Sequence, residues 1–291
     1  MDYVSNHCDQ GPRDNLEDTS LTISIQPPSP AEPIRLCLVA DGVGGHNFGE
    51  VASAIGLYVI VTHLVAALTL PGAAEQQPAA IRDLLIEAIG RANDAILDAA
   101  NQNTRLSGMS TTVVCSLVVG DVLYVAWCGD SRAYLVNGHS IEQLTTDHSE
   151  VQRLVEAGLV DPDVAKHHPL AHTINRFLGS QEACQPEVRI KPFTTAQTVV
   201  LCSDGLTDVV PDHRIAELVA DHNDDEAFPH LASRLVQEAI DEGTTDNVTV
   251  VCHTQRPPEP RVLAMNMTQT GAYHASVARA LHLLTTEPCH A

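Results

Sequence analysis

Residues 110–135 read STTVVCSLVVGDVLYVAWCGDSRAYL, three runs rich in Val, Leu, Cys and aromatic side chains (110–119, 121–128 and 131–136) with one or two residues between them. So close a spacing describes a meander of neighbouring antiparallel strands, because a parallel pair needs a long crossover. Working outward, strand-like runs recur at 19–25, 34–40, 186–190, 198–203 and 247–253, and helical patterns at 49–70, 78–102, 211–220 and 225–241. In the second of these Ile81, Leu84, Leu85, Ala88, Ile89, Ala92, Ile96 and Ala99 recur at three- and four-residue steps, the mark of an amphipathic helix. Two long helices, a strand meander and then further helices predict antiparallel sheets covered by helices. No repeat of 20–50 residues is visible.

The stretch 157–182 (AGLVDPDVAKHHPLAHTINRFLGSQE) breaks the strand rhythm and reads as an inserted loop with short helices, and RPPEP at 256–260 ends the regular pattern. The expected organisation is one domain over 1–255, with 157–182 as an insert, followed by a tail at 256–291. In that tail the spacing of Tyr273, Val277, Leu281 and Leu284 would put them on one face of a short helix.

The 291 residues carry 37 acidic and 16 basic side chains, a formal charge of -21, with Lys166 and Lys191 the only lysines. That balance excludes a nucleic-acid binder, which needs a basic stripe. With 44% hydrophobic and 18% charged residues the chain can bury a large core. The first ten residues, MDYVSNHCDQ, lack the basic and apolar regions of a secretory signal, so a cytoplasmic location is expected. The eight cysteines form no CxxC pair, and five of them (Cys37, Cys115, Cys128, Cys202 and Cys252) lie in or beside apolar runs, as buried small hydrophobes do. Residues 51–70 hold no Lys, Arg, Asp or Glu over the length of a membrane span. Ser53, Gly56, Thr62 and His63 dilute the segment and no aromatic belt or basic flank bounds it, so a buried helix is expected, with no membrane contact.

Acidic residues stand repeatedly where strand-like runs begin or end. Asp41 follows IRLCLVA and precedes Gly42, Asp130 follows VLYVAWCG, and Asp204 follows TVVLCS and precedes Gly205. Asp246 and Asn247 open the run NVTVV, and Glu17 and Asp18 precede TSLTISI. One Asp-Gly is an ordinary turn. Strands that pair in a sandwich bring their ends to one edge, however, and carboxylates crowded there need a cation to stay ionised. Oxygen donors without a matching His or Cys set point to a hard ion, Mg2+ or Mn2+. Two such ions sharing a bridging carboxylate would hold and ionise a water for in-line attack at phosphorus. Arg13, just upstream of Glu17, is suited to hold phosphate oxygens.

Seven segments in order, RDNLED (13–18), LVADGVGGHNFGE (38–50), SGMSTT (107–112), CGDSRAYL (128–135), LTTDHS (144–149), LCSDGLTDV (201–209) and GTTDNV (243–248), resemble the metal-dependent protein Ser/Thr phosphatases of the PP2C (PPM) family in their compact bacterial form. The resemblance implies an α+β fold, an α-β-β-α sandwich of two antiparallel sheets flanked by helix pairs. It implies that Asp41 bridges two Mn2+ or Mg2+ ions, one of them also bound by the Gly42 carbonyl. Asp204 and Asp246 would complete the other ion's shell, and Asp18 would bind through water, with Glu17 and Asn247 in support. Asp130 with Asp204 would hold a third ion, and Arg13 the substrate phosphate. The implied reaction is direct hydrolysis of phosphoserine or phosphothreonine without a phosphoenzyme, on phosphoprotein partners, opposing a cognate Ser/Thr kinase, with the chain acting as a monomer. Animal members place a His directly after the Asp-Gly, where Val43 stands here, so His46 is the nearest candidate to protonate the leaving alkoxide. The insert 157–182 corresponds to the family's flap.

Rival readings fit the residues less well. HCDQGPR (7–13) is one residue short of the HCxxxxxR loop of Cys-dependent phosphatases, which would make Cys8 the nucleophile. Gly42, Gly44, Gly45 and Gly49 miss the GxGxxG spacing of a dinucleotide loop. His167, His168 and His172 lack further zinc ligands nearby and read as exposed flap residues. A catalytically inactive binding module of the same fold would show a lost ligand Asp, and none is lost.

Overall fold

The computed structural model describes residues 4–26, 33–43, 48–72, 76–166, 168–182, 184–222, 224 and 226–255. The chain runs β1 (Val4–Asp9), β2 (Thr19–Ile25), β3 (Ile34–Ala40), α1 (Gly49–Leu68), α2 (Pro78–Gln102), β4 (Val113–Val119), β5 (Val122–Cys128), β6 (Arg132–Asn137) and β7 (Ser140–Gln143). It continues through α3 (Glu150–Glu156), α4 (Pro162–Ala165), β8 (Glu187–Pro192), β9 (Gln197–Cys202), α5 (Asp204–Thr207), α6 (Asp212–Asp221), α7 (Leu231–Asp241) and β10 (Val248–Thr254). Two five-stranded sheets form, in the orders β1-β10-β9-β6-β7 and β2-β3-β4-β5-β8. Every pairing within them is antiparallel.

Three apolar clusters mark the interfaces of a four-layer sandwich. One joins α1 and α2 to the outer face of the β2–β5 sheet, through Leu36, Leu38, Leu57, Ile60, Ile89 and Leu117. A second joins α6 and α7 to the other sheet, through Tyr134, Val200, Ile215, Leu235 and Val250. The third fills the space between the sheets with Val39, Val114, Trp127, Phe193 and Leu201. Strand alternation produces this sorting. In β3 the side chains of Leu36, Leu38 and Ala40 face the helices, and those of Cys37 and Val39 face the opposing sheet.

Helix α1 is long and apolar enough to cross a membrane. Its Val51, Ala52, Leu57, Ile60, Leu64 and Leu68 are nonetheless fully buried in the cluster that holds α2 and the sheet. In α2 the expected stripe is buried from Ile81 to Ala99 except Leu84, which is half-buried.

Some expected elements differ. The run at 110–119 pairs as a strand from Val113, because Thr111 instead bridges Gly42 and Leu178. The helix expected from 225 begins at Leu231, after a 3-10 turn over Phe228–His230 that contains Pro229. Strands β1 and β7 were not expected. Both are edge strands, and the polar β1 (VSNHCD) buries only Ser5, so neither shows the apolar alternation that marks a strand. The tail 256–291 lies outside the described residues.

His253 of β10 is fully buried, its Nε2 2.8 Å from Ser116 Oγ and its ring edge-on to Phe193. Burial pushes its pKa down to about 3 from 6.5. The unfolded chain therefore binds a proton that the fold excludes, and stability is lost as pH falls below about 6.5, by about 1.4 kcal/mol per pH unit. His253→Gln is expected to flatten this acid limb in thermal melts from pH 7 to pH 5; an unchanged slope would assign the limb to other groups.

Candidate active site

The antiparallel register brings the predicted carboxylates to one edge of the sandwich. Thr19 at the start of β2 pairs with Ala40 at the end of β3, and Val113 at the start of β4 pairs with Cys128 at the end of β5. Cys202 at the end of β9 pairs both with Arg132 at the start of β6 and with Val250 near the start of β10. Asp18, Asp41, Asp130, Asp204 and Asp246 are the residues just beyond those strand ends. A cleft of about 540 Å³ opens there, lined among others by Arg13, Glu17, Asp41, Gly42, Asp130, Asp204, Asp246 and Asn247.

The chain must turn tightly to expose these groups. A side chain at Gly42 would meet the main chain of Gly49 at 2.5 Å and the Glu17 carbonyl at 2.8 Å, and one at Gly205 would collide with the Asn247 carbonyl. Only glycine lets the backbone approach so closely. The main chain of Asp41 is clamped by two threonines: its N–H donates to Thr112 Oγ1 at 3.1 Å, and its carbonyl accepts from Thr112 N and Thr111 Oγ1, both at 2.8 Å.

The electrostatics are those of a concentrated negative site. Asp18 is 2% exposed. Its Oδ2 accepts from Ser203 Oγ at 2.8 Å, while its Oδ1 and Asp204 Oδ1 are buried with no hydrogen-bond partner among the described residues. Burial raises the Asp18 pKa to about 6, and burial with the neighbouring Asp147 raises that of Asp130 to about 7. Asp41 and Asp204 are pushed well above the carboxylate range, first by burial and then by the other aspartates. Glu17 rises through burial and the adjacent Glu50. Orphaned carboxylate oxygens among clustered aspartates are the surroundings a divalent cation fits.

Arg13 stands at the rim, half exposed, with Nη2 2.6 Å from Asp246 Oδ2 and Nε on the Thr245 carbonyl at 3.0 Å. Asn247 is turned inward: it donates to the carbonyls of Gln10 and Asn15 at 2.7 and 3.0 Å and accepts from Glu17 N at 2.7 Å. It thereby staples the loop that carries Arg13 and Glu17. His46 and His167 lie outside the described residues.

The structure adds residues that sequence reasoning missed. Asp208 lines the cleft, its N–H bonded to the Asp204 carbonyl at 2.8 Å; the four-residue step in DGLTD was the available signal. His172 is exposed but pairs with Asp208 through Nδ1 at 3.5 Å, and ligand atoms of His172, Asp204 and Asp208 all lie within 4.8 Å of one another. His172 therefore borders the carboxylates and is more than an exposed flap residue. Lys166 Nζ bonds the Thr207 carbonyl at 2.9 Å, so the insert 157–182 rests on the cleft's edge. His7, Cys8 and Asp9 are in β1, not in a phosphate-cradling loop. Cys8 Sγ accepts from Thr249 Oγ1, and burial beside Asp18 raises its pKa far from thiolate chemistry.

The protein phosphatase 2C family profile matches residues 2–248. The serine/threonine phosphatase stp of Listeria monocytogenes is 32% identical over 216 residues, which cover 74% of this chain and 82% of that protein. The crystal structure of the serine/threonine phosphatase Stp1 from Staphylococcus aureus superposes with a TM-score of 0.76 at 31% identity, covering 87% of this chain and 95% of that one. That of the catalytic domain of the serine threonine protein phosphatase PstP, in complex with two manganese ions, gives 0.69 at 31% identity over 86% and 96% of the two chains.

Proposed function

The chain belongs to the protein phosphatase 2C family, and from that premise we propose that it is a Mn2+- or Mg2+-dependent protein serine/threonine phosphatase, with residues 1–255 as the catalytic unit. The observation that carries this reading is the pair of buried, unpartnered carboxylate oxygens on Asp18 and Asp204, which lie among further raised-pKa aspartates beside Arg13. Asp41, the Gly42 carbonyl, Asp204 and Asp246 would hold two ions, Asp18 would reach them through water, and Asp130 with Asp204 would hold a third. When bound, such ions polarise a phosphoryl oxygen and lower the pKa of water enough for attack at neutral pH.

The chain's own residues do the rest. Arg13, tethered to Asp246 at the rim, would hold the substrate phosphate at the mouth of the cleft. Thr111 and Thr112 fix the main chain of Asp41, Ser203 fixes one oxygen of Asp18, and Asn247 fixes the loop of Arg13. His46 is assigned the proton for the leaving serine or threonine alkoxide. Cys8, the nucleophile that the HCDQGPR segment offered, has its thiol pushed up by burial beside Asp18, which supports direct hydrolysis over a Cys8 phosphoenzyme.

Turnover of a phosphothreonine peptide with Mn2+, its loss in EDTA and its survival in Cys8→Ser are the expected results. EDTA-resistant turnover that disappears in Cys8→Ser would overturn the reading, as would folded protein without Mn2+-dependent activity.

The substrate class is phosphoproteins, counteracting a Ser/Thr kinase, and the catalytic unit is a monomer. The cytoplasm is the assigned compartment, supported by seven free cysteines among the described residues. Three side chains of the insert, Leu159 (73% exposed), Val164 (56%) and Leu170 (38%), present apolar surface, and because the same insert reaches the cleft through His172 and Ile174 we assign them to the protein part of the substrate. Changing all three to Ser is expected to lower kcat/KM on a phosphopeptide about tenfold, mainly through KM, the scale of one or two lost apolar contacts. Turnover of p-nitrophenyl phosphate should change far less; an equal loss on both substrates would place the insert's role in the chemistry.

A further inference from the structure

We propose that Thr111 is a positioning residue that ties the insert 157–182 to the metal-bridging carboxylate, so that docking of the flap and binding of the metal are thermodynamically linked. The proposal rests on the assignment of Asp41 as a ligand.

The geometry places two connections on one residue. Through its main chain Thr111 pairs with the trailing end of the flap: Thr111 N donates to the Leu178 carbonyl at 3.1 Å, and Leu178 N donates to the Thr111 carbonyl at 2.8 Å. Through its side chain it holds the ligand, Oγ1 donating to the Asp41 carbonyl at 2.8 Å. Thr111 and Leu178 are both fully buried. The flap end is pinned on its other side as well, because Asn93 Oδ1 of α2 accepts from Gly179 N at 2.8 Å and Ser180 N at 3.1 Å. Gly179 has a φ of +96°, and a side chain there would strike the Met109 carbonyl at 2.5 Å. This end of the flap is thus bonded on one side to α2 and on the other to Thr111.

A carboxylate that serves two ions must be held to a fraction of an ångström. The Asp41 carbonyl takes its second hydrogen bond from the Thr111 hydroxyl, the first coming from Thr112 N. A shift of the flap end carries the Thr111 backbone with it and moves that hydroxyl relative to Asp41. Linkage is reciprocal: if flap position alters metal affinity, metal binding steadies the flap by the same factor. A substrate that engages the flap then also tightens the metal site.

The test uses the full chain, stripped of metal and titrated calorimetrically with Mn2+, together with amide exchange of the flap with and without Mn2+. Thr111→Val is expected to weaken Mn2+ binding about tenfold, the scale of one buried hydrogen bond, and to abolish the Mn2+-induced slowing of exchange in the flap. Thr111→Ser, which keeps the hydroxyl, should restore both. Asn93→Ala releases the flap end without touching Asp41; it should weaken Mn2+ binding several-fold alone and add little in the Thr111→Val background, a non-additive cycle. Unchanged Mn2+ affinity in a folded Thr111→Val protein, or strict additivity with Asn93→Ala, would overturn the link and leave Thr111 as core packing. If Thr111→Val does not fold, Asn93→Ala decides: Mn2+ affinity equal to wild type overturns the proposal. Wild-type protein that binds no Mn2+ would instead refute the ligand assignment itself, and the linkage with it.

Discussion

Asp41→Asn is expected to lower kcat on a phosphothreonine peptide about a thousandfold or more and, in the same protein, to raise the melting temperature measured in EDTA. The two effects share one cause. Asp41 lies at the end of β3, where burial and the charges of Asp18, Asp204, Asp130 and Asp246 all disfavour its ionised form. Without a cation the cluster opposes folding, because the buried Asp41 must hold a proton that the unfolded chain releases, and the amide removes that cost. The amide is nearly isosteric, and the bonds that place residue 41, from Thr111, Thr112 and its own N–H, are made by its main chain and survive the change. What is lost is the negative ligand. A site tuned for catalysis at the expense of stability shows this opposition. Activity with Mn2+ and melting in EDTA, compared between wild type and variant, check it; a lower melting temperature in EDTA would show that the carboxylate stabilises the fold by itself.

How much of this was legible depended on the range of the contacts. Asp41, Asp130, Asp204 and Asp246 were readable because each follows or opens a Val-rich run, and a sandwich collects strand ends at one edge. The antiparallel pairing was readable because three adjacent runs at 110–136 left no length for crossovers, whereas the four layers were implied only by the resemblance of the seven segments. Thr111 and Thr112 close the resembling segment SGMSTT, but nothing local signalled what they hold, since the carbonyl and N–H are 70 and 71 residues away. Asn247 pairs with partners more than 200 residues distant, so its stapling of the Arg13 loop emerges only when β10 lies beside β1. β1 escaped notice because it is a polar edge strand. Asp208 was hidden differently: the one helical turn of α5 that sets it beside Asp204 was too short to be read as a helix.

The stabilisation conferred by Mn2+ is expected to grow steeply with pH. In metal-free protein Asp18 and Asp130 keep their protons up to about 6 and about 7, whereas the unfolded chain releases them near 3.8. Between about pH 4 and pH 7 the folded state therefore binds more protons than the unfolded one, and its stability falls as pH rises, by about 1.4 kcal/mol per unit for each such proton. A divalent ion needs these carboxylates ionised, so protons compete with it at low pH, and the share of that competition due to Asp18 and Asp130 fades above about pH 7. Mn2+ at a hundredfold excess over its dissociation constant adds about 2.7 kcal/mol to stability; the same concentration at pH 5 adds far less. His253 titrates in the opposite sense, but it contributes equally with and without metal and cancels in the difference. The measurement is the melting temperature in Mn2+ minus that in EDTA, taken at pH 5, 6, 7 and 8. A difference as large at pH 5 as at pH 8 would mean that the aspartates are already ionised in the metal-free fold, and that the site is held open by some compensation other than the proton.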